Sequence, residues 1–214
     1  MLPVAQRQLW PALSIVKNEA FVLYGGTAVA LYLGHRESVD FDFFTDRTFL
    51  PDELFVQFEF LHGAQILQSQ SNTLTVLVRG TEADKDMVKI SFFGGLSFGR
   101  LNDPNRTPDG ALQVASQHDL LAHKLKVLLQ RVEAKDYLDI DALLAGGLDL
   151  AAGLAGAKAL FATFAPQECL KALTYFDDAA LGELPRAVED RLIRAAAEVR
   201  FIPEWVIKAK TLCD

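Results

Sequence analysis

The chain has 214 residues, half of them hydrophobic, which suffices for one sizeable core or two small lobes sharing a cleft and excludes a disordered protein. Its net charge of −7 argues against broad, non-specific nucleic-acid binding, which depends on many Lys and Arg contacts to phosphate, but leaves room for a local basic cleft. Polar residues interrupt every apolar run before it reaches the length of a membrane span, and the N-terminus shows no hydrophobic region of a secretory signal, so we expect a cytoplasmic protein without membrane contact. The two cysteines are far apart in the sequence, so we expect neither a disulfide framework nor a zinc site.

The first element with a chemical signal is a short apolar strand that ends in two glycines. After an N-terminal helix, we predict a strand over Phe21–Tyr24, a turn at Gly25 and Gly26, and a helix over Ala28–Leu33 that Thr27 opens. Glycines let the backbone approach a bulky anion closely, and amides at a helix N-terminus favour a phosphate group. The pattern predicts that Gly25, Gly26 and Thr27 bind a nucleotide phosphate, with the Thr27 hydroxyl as an added donor. An ordinary turn that touches no ligand is the alternative.

The next predicted strand, Val39–Phe44, carries two carboxylates on one face. Residues two apart on a strand point the same way, so Asp40 and Asp42 project together while the hydrophobic residues between them face apolar packing. Mg²⁺ commonly takes one or two protein carboxylates and fills its other positions with water and phosphate oxygens. The pair therefore predicts a Mg²⁺ or Mn²⁺ site, although the same alternation also fits a half-buried strand with a solvated outer face.

A helix and three more strands follow. The segment after Pro51 has acidic first-turn residues and a helical apolar stripe that ends at Gly63. The strands, the first two joined by a tight turn, are predicted over Gln65–Ser69, Thr73–Arg79 and Met87–Phe93. Gly94 and Gly95 are expected to close the sheet region. The stretch Asn102–Gly110 is rich in Pro, Asn and Asp and predicts a long loop, a candidate lid or linker.

From Ser116 onward the predicted elements are helical. The helix Gln117–Arg131 places Lys124 among core leucines, and two interpretations stay open. Either the lysine lays its stem over the leucines and keeps its ammonium in water, or it binds a phosphate at the cleft. Lys126 and His123 face another side of this helix, and His123 is either a structural residue or a general base.

A second acidic pair lies in the segment Arg131–Asp139. Asp136 and Asp139 are one helical turn apart and share a face, whereas Lys135 points away from it. One interpretation is a solvated helix start in which the helix dipole stabilises Asp136. The other places Asp136 in the functional site.

These motifs, in this order and spacing, resemble the nucleotidyltransferase superfamily signature, and more closely the AbiEii/AbiGii toxin family. The motifs that carry the resemblance are Gly25 to Ala28, Ser38 to Phe44, His123 to Lys126 and Arg131 to Asp139, within roughly residues 20 to 145. The resemblance implies nucleotidyl transfer from an NTP, with Lys124 on the triphosphate and Asp136 in the active site. It also implies a toxin role, an RNA (for example tRNA) or protein acceptor, and a cognate antitoxin.

One expected feature of that signature is missing. Nucleotidyltransferases usually carry a third carboxylate on a later strand, but the outward positions of Met87–Phe93 are Lys89 and Ser91. Asp136 can substitute for it from the helical half, with Asp84 and Asp86 as weaker candidates. Alternatively catalysis is lost, and the Lys89 ammonium replaces one metal ion by neutralising the carboxylates.

We therefore expect an α/β (α+β) protein with a nucleotidyltransferase-like mixed sheet lobe flanked by helices over residues 1–110. A helical lobe over residues 111–214 completes the cleft. The expected catalytic residues are Asp40, Asp42 and Asp136. The first alternative is a catalytically degenerate nucleotide-binding or partner-binding module on the same fold, and the second is a metal-dependent phosphohydrolase with water as the nucleophile.

Overall fold

The two carboxylates lie on the middle strand of a mixed sheet. The computed structural model describes residues 2–80 and 86–213, and within these the sheet has seven strands. They are β1 (Val22–Tyr24), β2 (Asp40–Phe44), β3 (Gln65–Gln70), β4 (Thr73–Arg79), β5 (Met87–Phe93), β6 (Asn105–Arg106) and β7 (Gln113–Val114). Their order across the sheet is β3-β4-β5-β2-β1-β7-β6. Strand β2 runs parallel to β5 and β1 runs parallel to β7, while the other neighbours are antiparallel.

Helices flank the sheet and form most of the C-terminal half. They are α1 (Val4–Leu9), α2 (Gly25–Leu33), α3 (Pro51–Gln57), α4 (Gln117–Val127), α5 (Ala134–Ala145), α6 (Leu150–Leu160), α7 (Pro166–Leu173) and α8 (Arg186–Glu198). Short 3₁₀ helices span Trp10–Glu19, Glu59–Leu61 and Ala179–Leu181. Helix α4 packs against α2, α5 and α6, and α2 also packs against α5. Helix α2, which begins at Gly25, therefore lies next to α4, which carries Lys124, and α5, which carries Asp136. The mixed α/β architecture agrees with the predicted fold class.

The hydrophobic residues of β2 anchor the strand in the core. Phe41 and Phe43 have no exposed surface, and the Phe43 ring stacks on Phe92 of β5 with centroids 5.4 Å apart. Trp10 and Phe58 cover the same face of the sheet. Because alternate residues of a strand point to opposite faces, this packing fixes Asp40 and Asp42 on the other face, under the helices.

Several helix boundaries differ from the predictions. The N-terminal helix changes to a 3₁₀ helix at Trp10, where Pro11 removes an amide donor. Helix α2 starts at Gly25 and not after the glycines, and α4 ends at Val127 rather than at Arg131. The helix predicted between Pro51 and Gly63 is divided into α3, which ends at Gln57, and a 3₁₀ helix over Glu59–Leu61. The bounds of β1 to β5 lie within one residue of their predicted positions.

The predicted end of the sheet at Gly94 and Gly95 is wrong. Two further strands, β6 and β7, extend the sheet beyond β1, and β6 lies within the predicted loop Asn102–Gly110. Such two-residue strands are too short to show an alternation in the sequence. A hydrogen bond also links this loop to the N-terminal region, since Trp10 Nε1 donates to Asp109 at 2.7 Å. Strand β7 follows the predicted boundary at residue 110 and pairs with β1, while the division into two lobes stays a prediction.

Among the described residues, no single helix is long and apolar enough to cross a membrane. Helices α5 and α6 meet the length and composition test only as a pair, and a bend of 120° separates them.

Candidate active site

Asp40 and Asp42 face the parallel strand β5, whose paired positions are Lys89 and Ser91. The Lys89 ammonium lies beside the first carboxylate, with its Nζ 3.0 Å from Asp40 Oδ2. Within the described ranges, residues 2–80 and 86–213, no group of three or more His, Cys, Asp or Glu side chains could hold a metal ion by itself. The strand positions that pair with the two carboxylates therefore carry an amine and a hydroxyl.

Asp42 lies in an environment that suits a cation. Burial, followed by the charge of Asp40, raises the pKa of Asp42 above its ordinary value. The positive charges of Lys89 and Lys124 oppose that rise without cancelling it. Carboxylate oxygens are hard donors, and two of them fit one Mg²⁺ whose remaining positions go to water and phosphate. The residues present therefore suit a single hard cation.

The glycines place helix α2 against this carboxylate. Gly25 has φ +74°, and a Cβ added to it would lie 2.3 Å from Asp42 Oδ2. A Cβ on Gly26 would lie 2.3 Å from a terminal nitrogen of Arg36. A side chain at either position would require the carboxylate or the guanidinium to move, because these groups lie directly over the first turn of the helix.

Thr27 has a different local role from the expected one. Its side chain is fully buried, and its hydroxyl donates a hydrogen bond to the backbone carbonyl of Asp40. This bond ties the first turn of α2 to the start of β2. The hydroxyl is therefore already engaged in this structure, and the donors near a phosphate would be backbone amides of this turn.

Lys124 joins the two carboxylates of the second acidic pair. Its Nζ lies 2.7 Å from Asp136 Oδ1 and 2.6 Å from Asp139 Oδ2. Both aspartates are fully buried and Lys124 is 7% exposed. The snorkelling interpretation of Lys124 and the solvated interpretation of Asp136 are both wrong, because neither group faces water.

Further cations complete this buried network. Arg131 Nε lies 3.0 Å from Asp136 Oδ2. Arg36 binds Asp139 with two nitrogens, at 2.7 and 2.9 Å, and His35 Nε2 lies 2.7 Å from the same carboxylate. Burial alone would raise the pKa of Asp139, but the hydrogen bonds from His35 and Arg36 outweigh it and hold that pKa well below its usual range.

The glycine helix, the strand carboxylates and Lys124 meet at one small cavity of about 110 Å³. Its lining residues are Gly26, Arg36, Glu37, Ser38, Val39, Asp40, Asp42, Lys124 and Lys135. The cavity thus sets three cationic side chains against the carboxylate pair. Asp136 does not line it and instead lies behind Lys124.

Sequence reasoning missed two of these cations. Lys135 was expected to point away from the acidic pair, yet it lines the cavity and pairs with Glu133 at 2.8 Å. Arg36 was not singled out, although Arg36, Ser38, Asp40 and Asp42 alternate along the chain, and an extended segment puts alternate residues on one side. That alternation, continued before the strand, was the available signal.

The general-base interpretation of His123 does not fit its surroundings. The imidazole lies among aromatic rings, with centroids 4.7 Å from Tyr24 and 4.6 Å from Phe98. Burial lowers the pKa of His123 to about 3, so the ring is a poor proton acceptor near neutral pH. Among the other weaker candidates, Asp86 lines a separate cavity with Gln6, and Asp84 lies outside the described residues.

Comparisons with known proteins agree with the motifs. The family described as "Nucleotidyl transferase AbiEii toxin, Type IV TA system" matches residues 13–205. An uncharacterized protein of Aquifex aeolicus strain VF5 is 31% identical over 162 residues, which cover 74% of this chain and 75% of that protein. MenT4, a nucleotidyltransferase toxin from Mycobacterium tuberculosis H37Rv, superposes with a TM-score of 0.59 at 17% identity, covering 91% of this chain and 82% of its own. At that identity the likeness to MenT4 shows a shared fold.

Proposed function

The chain belongs to the AbiEii nucleotidyl transferase toxin family, and from this premise we propose that it transfers a nucleoside monophosphate from an NTP to an RNA or protein acceptor with Mg²⁺ or Mn²⁺. One observation supports this most strongly. Two strand carboxylates, the N-terminus of a glycine-started helix and three cationic side chains line the same cavity. Membership of a toxin family of type IV systems also implies an antitoxin partner and a nucleotide substrate.

Asp40 and Asp42 would hold the cation. When bound, Mg²⁺ neutralises triphosphate charge and stabilises the charge that develops on the leaving pyrophosphate. The raised pKa of Asp42 supports this role, because a nearby positive charge relieves the repulsion between the two carboxylates.

The triphosphate would lie against Gly25, Gly26 and the cationic wall of the cavity. The first amides of α2 lie at the positive end of the helix dipole, and Gly26 lines the cavity. Lys124 and Lys135 add point charges, and Arg36, whose Nε and Nη2 already bind Asp139, adds the positive charge of its guanidinium.

Asp136 would act in the site through Lys124. Its Oδ1 lies 2.7 Å from Lys124 Nζ, which fixes where the ammonium stands relative to the phosphates. We therefore propose Asp136 as a positioning residue, and its expected contact with the acceptor stays a prediction. An Asp136→Asn variant that lowers kcat with an unchanged KM for the NTP would favour the acceptor role, and a raised KM would favour positioning.

The alternative is a degenerate nucleotide-binding module, which the ion pair between Lys89 and Asp40 favours. The Lys89 ammonium beside Asp40 would partly replace a metal cation, so the site would bind a nucleotide without transferring it. In that case nucleotide binds but no acceptor is labelled.

The test is transfer of label from each α-³²P NTP, with Mg²⁺, Mn²⁺ or EDTA, to total tRNA and to the protein itself. Wild type is compared with Asp42→Asn, and Asp52→Asn on the exposed side of α3 serves as the matched carboxylate control. Metal-dependent labelling that Asp42→Asn abolishes and Asp52→Asn retains would support the proposal. Nucleotide binding without labelling in any condition would favour the degenerate module.

A further inference from the structure

The face of the sheet that carries the carboxylates continues into an aromatic region. On β2, Asp40, Asp42 and Phe44 point to the same side, and the register pairs Phe44 with Phe93 of β5. From Asp42 to Phe44 the chain rises by about 7 Å at the strand rise of roughly 3.3 Å per residue. The carboxylate of Asp42 and the aromatic ring of Phe44 are thus neighbours on one face of the sheet.

A large cavity of about 730 Å³ opens at the aromatic end. The residues that shape it are Phe44, Phe93, Phe98, His123, Lys126 and Phe161. No Asp or Glu is among the described residues that line it. Flat rings on several sides, with Lys126 Nζ 5.5 Å from the centre of the Phe161 ring, suit a planar, uncharged ligand group.

One residue that lines this cavity has a buried polar atom without a hydrogen-bond partner among the described residues. His123 Nε2 is buried and, among the described residues, makes no hydrogen bond. A buried polar atom of this kind costs free energy unless a ligand or water binds it. Because burial lowers the pKa of His123 to about 3, the imidazole is neutral and offers one donor and one acceptor nitrogen.

The order of groups along β2 decides which ligand fits. The cationic cavity, with Arg36, Lys124 and Lys135, lies at the Asp40 end, and the aromatic cavity lies at the Phe44 end. A nucleotide has the same polarity, with its charged phosphates at one end and its planar base at the other.

We propose that the aromatic cavity is the subsite for the nucleobase of the donor NTP, with His123 as its base-reading residue. The proposal rests on the proposed function for the identity of the donor. Helix α4 connects both ends of the site, since Lys124 contributes to the phosphate cavity, and His123 and Lys126 contribute to the base cavity. The base would stack on the aromatic rings and direct one edge to the imidazole.

The test separates the two ends of the ligand. Calorimetric binding of the four NTPs and of inorganic tripolyphosphate is measured for wild type and for Ser97→Trp, which places an indole at the mouth of the cavity. Glu183→Trp, at an exposed position outside both cavities, is the control. We expect Ser97→Trp to weaken NTP binding roughly ten- to hundredfold, the range of one lost base-stacking contact, with tripolyphosphate binding unchanged.

A second variant removes only the polar contact. His123→Phe keeps an aromatic ring in the cavity, so we expect it to change the order of affinity among the four NTPs and to leave tripolyphosphate binding unchanged. Unchanged NTP binding in Ser97→Trp, or equal loss of NTP and tripolyphosphate binding, would overturn the base subsite. In the transfer assay, a Ser97→Trp variant with a raised KM for the acceptor and an unchanged KM for the NTP would also overturn the base subsite.

Label transfer measured in parallel keeps the two proposals apart. Transfer by Ser97→Trp with a wild-type KM for the NTP would overturn the base subsite and leave the proposed function standing. If wild type labels no acceptor but Ser97→Trp selectively loses NTP binding, the result would support the base subsite and contradict nucleotidyl transfer.

Discussion

Lys89 stands opposite Asp40 on the neighbouring parallel strand, and its Nζ lies 3.0 Å from Asp40 Oδ2. The lysine occupies one of the two outward positions of β5 at which a third carboxylate was expected. The pair is partly open to water, with side chains 40% and 29% exposed, so its own contribution to stability is small. Its main expected consequence is competition, since the ammonium already binds the carboxylate that we propose as a metal ligand.

We expect Lys89→Gln to bind divalent cations more tightly than wild type. Removing the ammonium frees Asp40 and removes a like charge from the cation site. A pair of this exposure is worth at most about 1 kcal/mol, so the gain is about fivefold or less. Calorimetric titration with Mn²⁺, compared with Lys171→Gln on the exposed surface, checks it. Weaker Mn²⁺ binding in Lys89→Gln would mean that the lysine supports the site.

Gly25→Ala should disable the cation site by moving Asp42. The added Cβ would lie 2.3 Å from Asp42 Oδ2, so the carboxylate must shift. Gly34 at the other end of α2 is the matched control, because it also has a positive φ, +60°, but in the described part of the chain no non-neighbouring atom lies within 4 Å of its added Cβ. Both variants should lose roughly 1–2 kcal/mol of stability from the left-handed backbone. Only Gly25→Ala should lose Mn²⁺ binding, and equal binding by the two variants would contradict the clash.

Two lysines of the same cavity should separate stability from binding. Lys124→Met leaves two buried carboxylates with fewer partners, and we expect a loss of about 3 kcal/mol in the free energy of unfolding. Lys135→Met breaks only an exposed pair with Glu133, so its loss should stay below about 1 kcal/mol. Urea unfolding measures both. Tripolyphosphate binding should weaken in both variants, and unaltered binding by Lys135→Met would remove that residue from the phosphate site.

The sequence was sufficient for the parts of the site that follow a local rule. Strand alternation located Asp40 and Asp42 on one face, and helical spacing placed Asp136 and Asp139 together. The absent strand carboxylate was also visible, because β5 shows a regular strand pattern with Lys89 at the outward position. These features depend on neighbours within a few residues, which the sequence specifies directly.

Tertiary contacts decided the rest. That Lys124 bridges two buried aspartates, and that Arg36 reaches Asp139 across 103 positions of sequence, depends on how α2, α4 and α5 pack. The short strands β6 and β7 form because the edge of β1 offers a partner, and they have no pattern of their own. Residues from strands, a loop and two helices line the aromatic cavity, so no single segment of the sequence predicts it.

The buried network around Asp139 should make stability depend on acid in a defined direction. The pKa of this carboxyl is held well below its usual range in the folded protein, whereas in the unfolded chain it returns to about 3.9. Near and below that value the unfolded state binds a proton that the folded state does not, so the contribution of Asp139 is complete at neutral pH and declines as the pH falls. Asp139→Asn should be less stable than wild type at pH 7, and the difference should narrow between about pH 5 and pH 3. Urea midpoints across that range measure it. Two curves that stay parallel would show that Asp139 has an ordinary pKa in the folded state, and that the cations around it do not stabilise its charge.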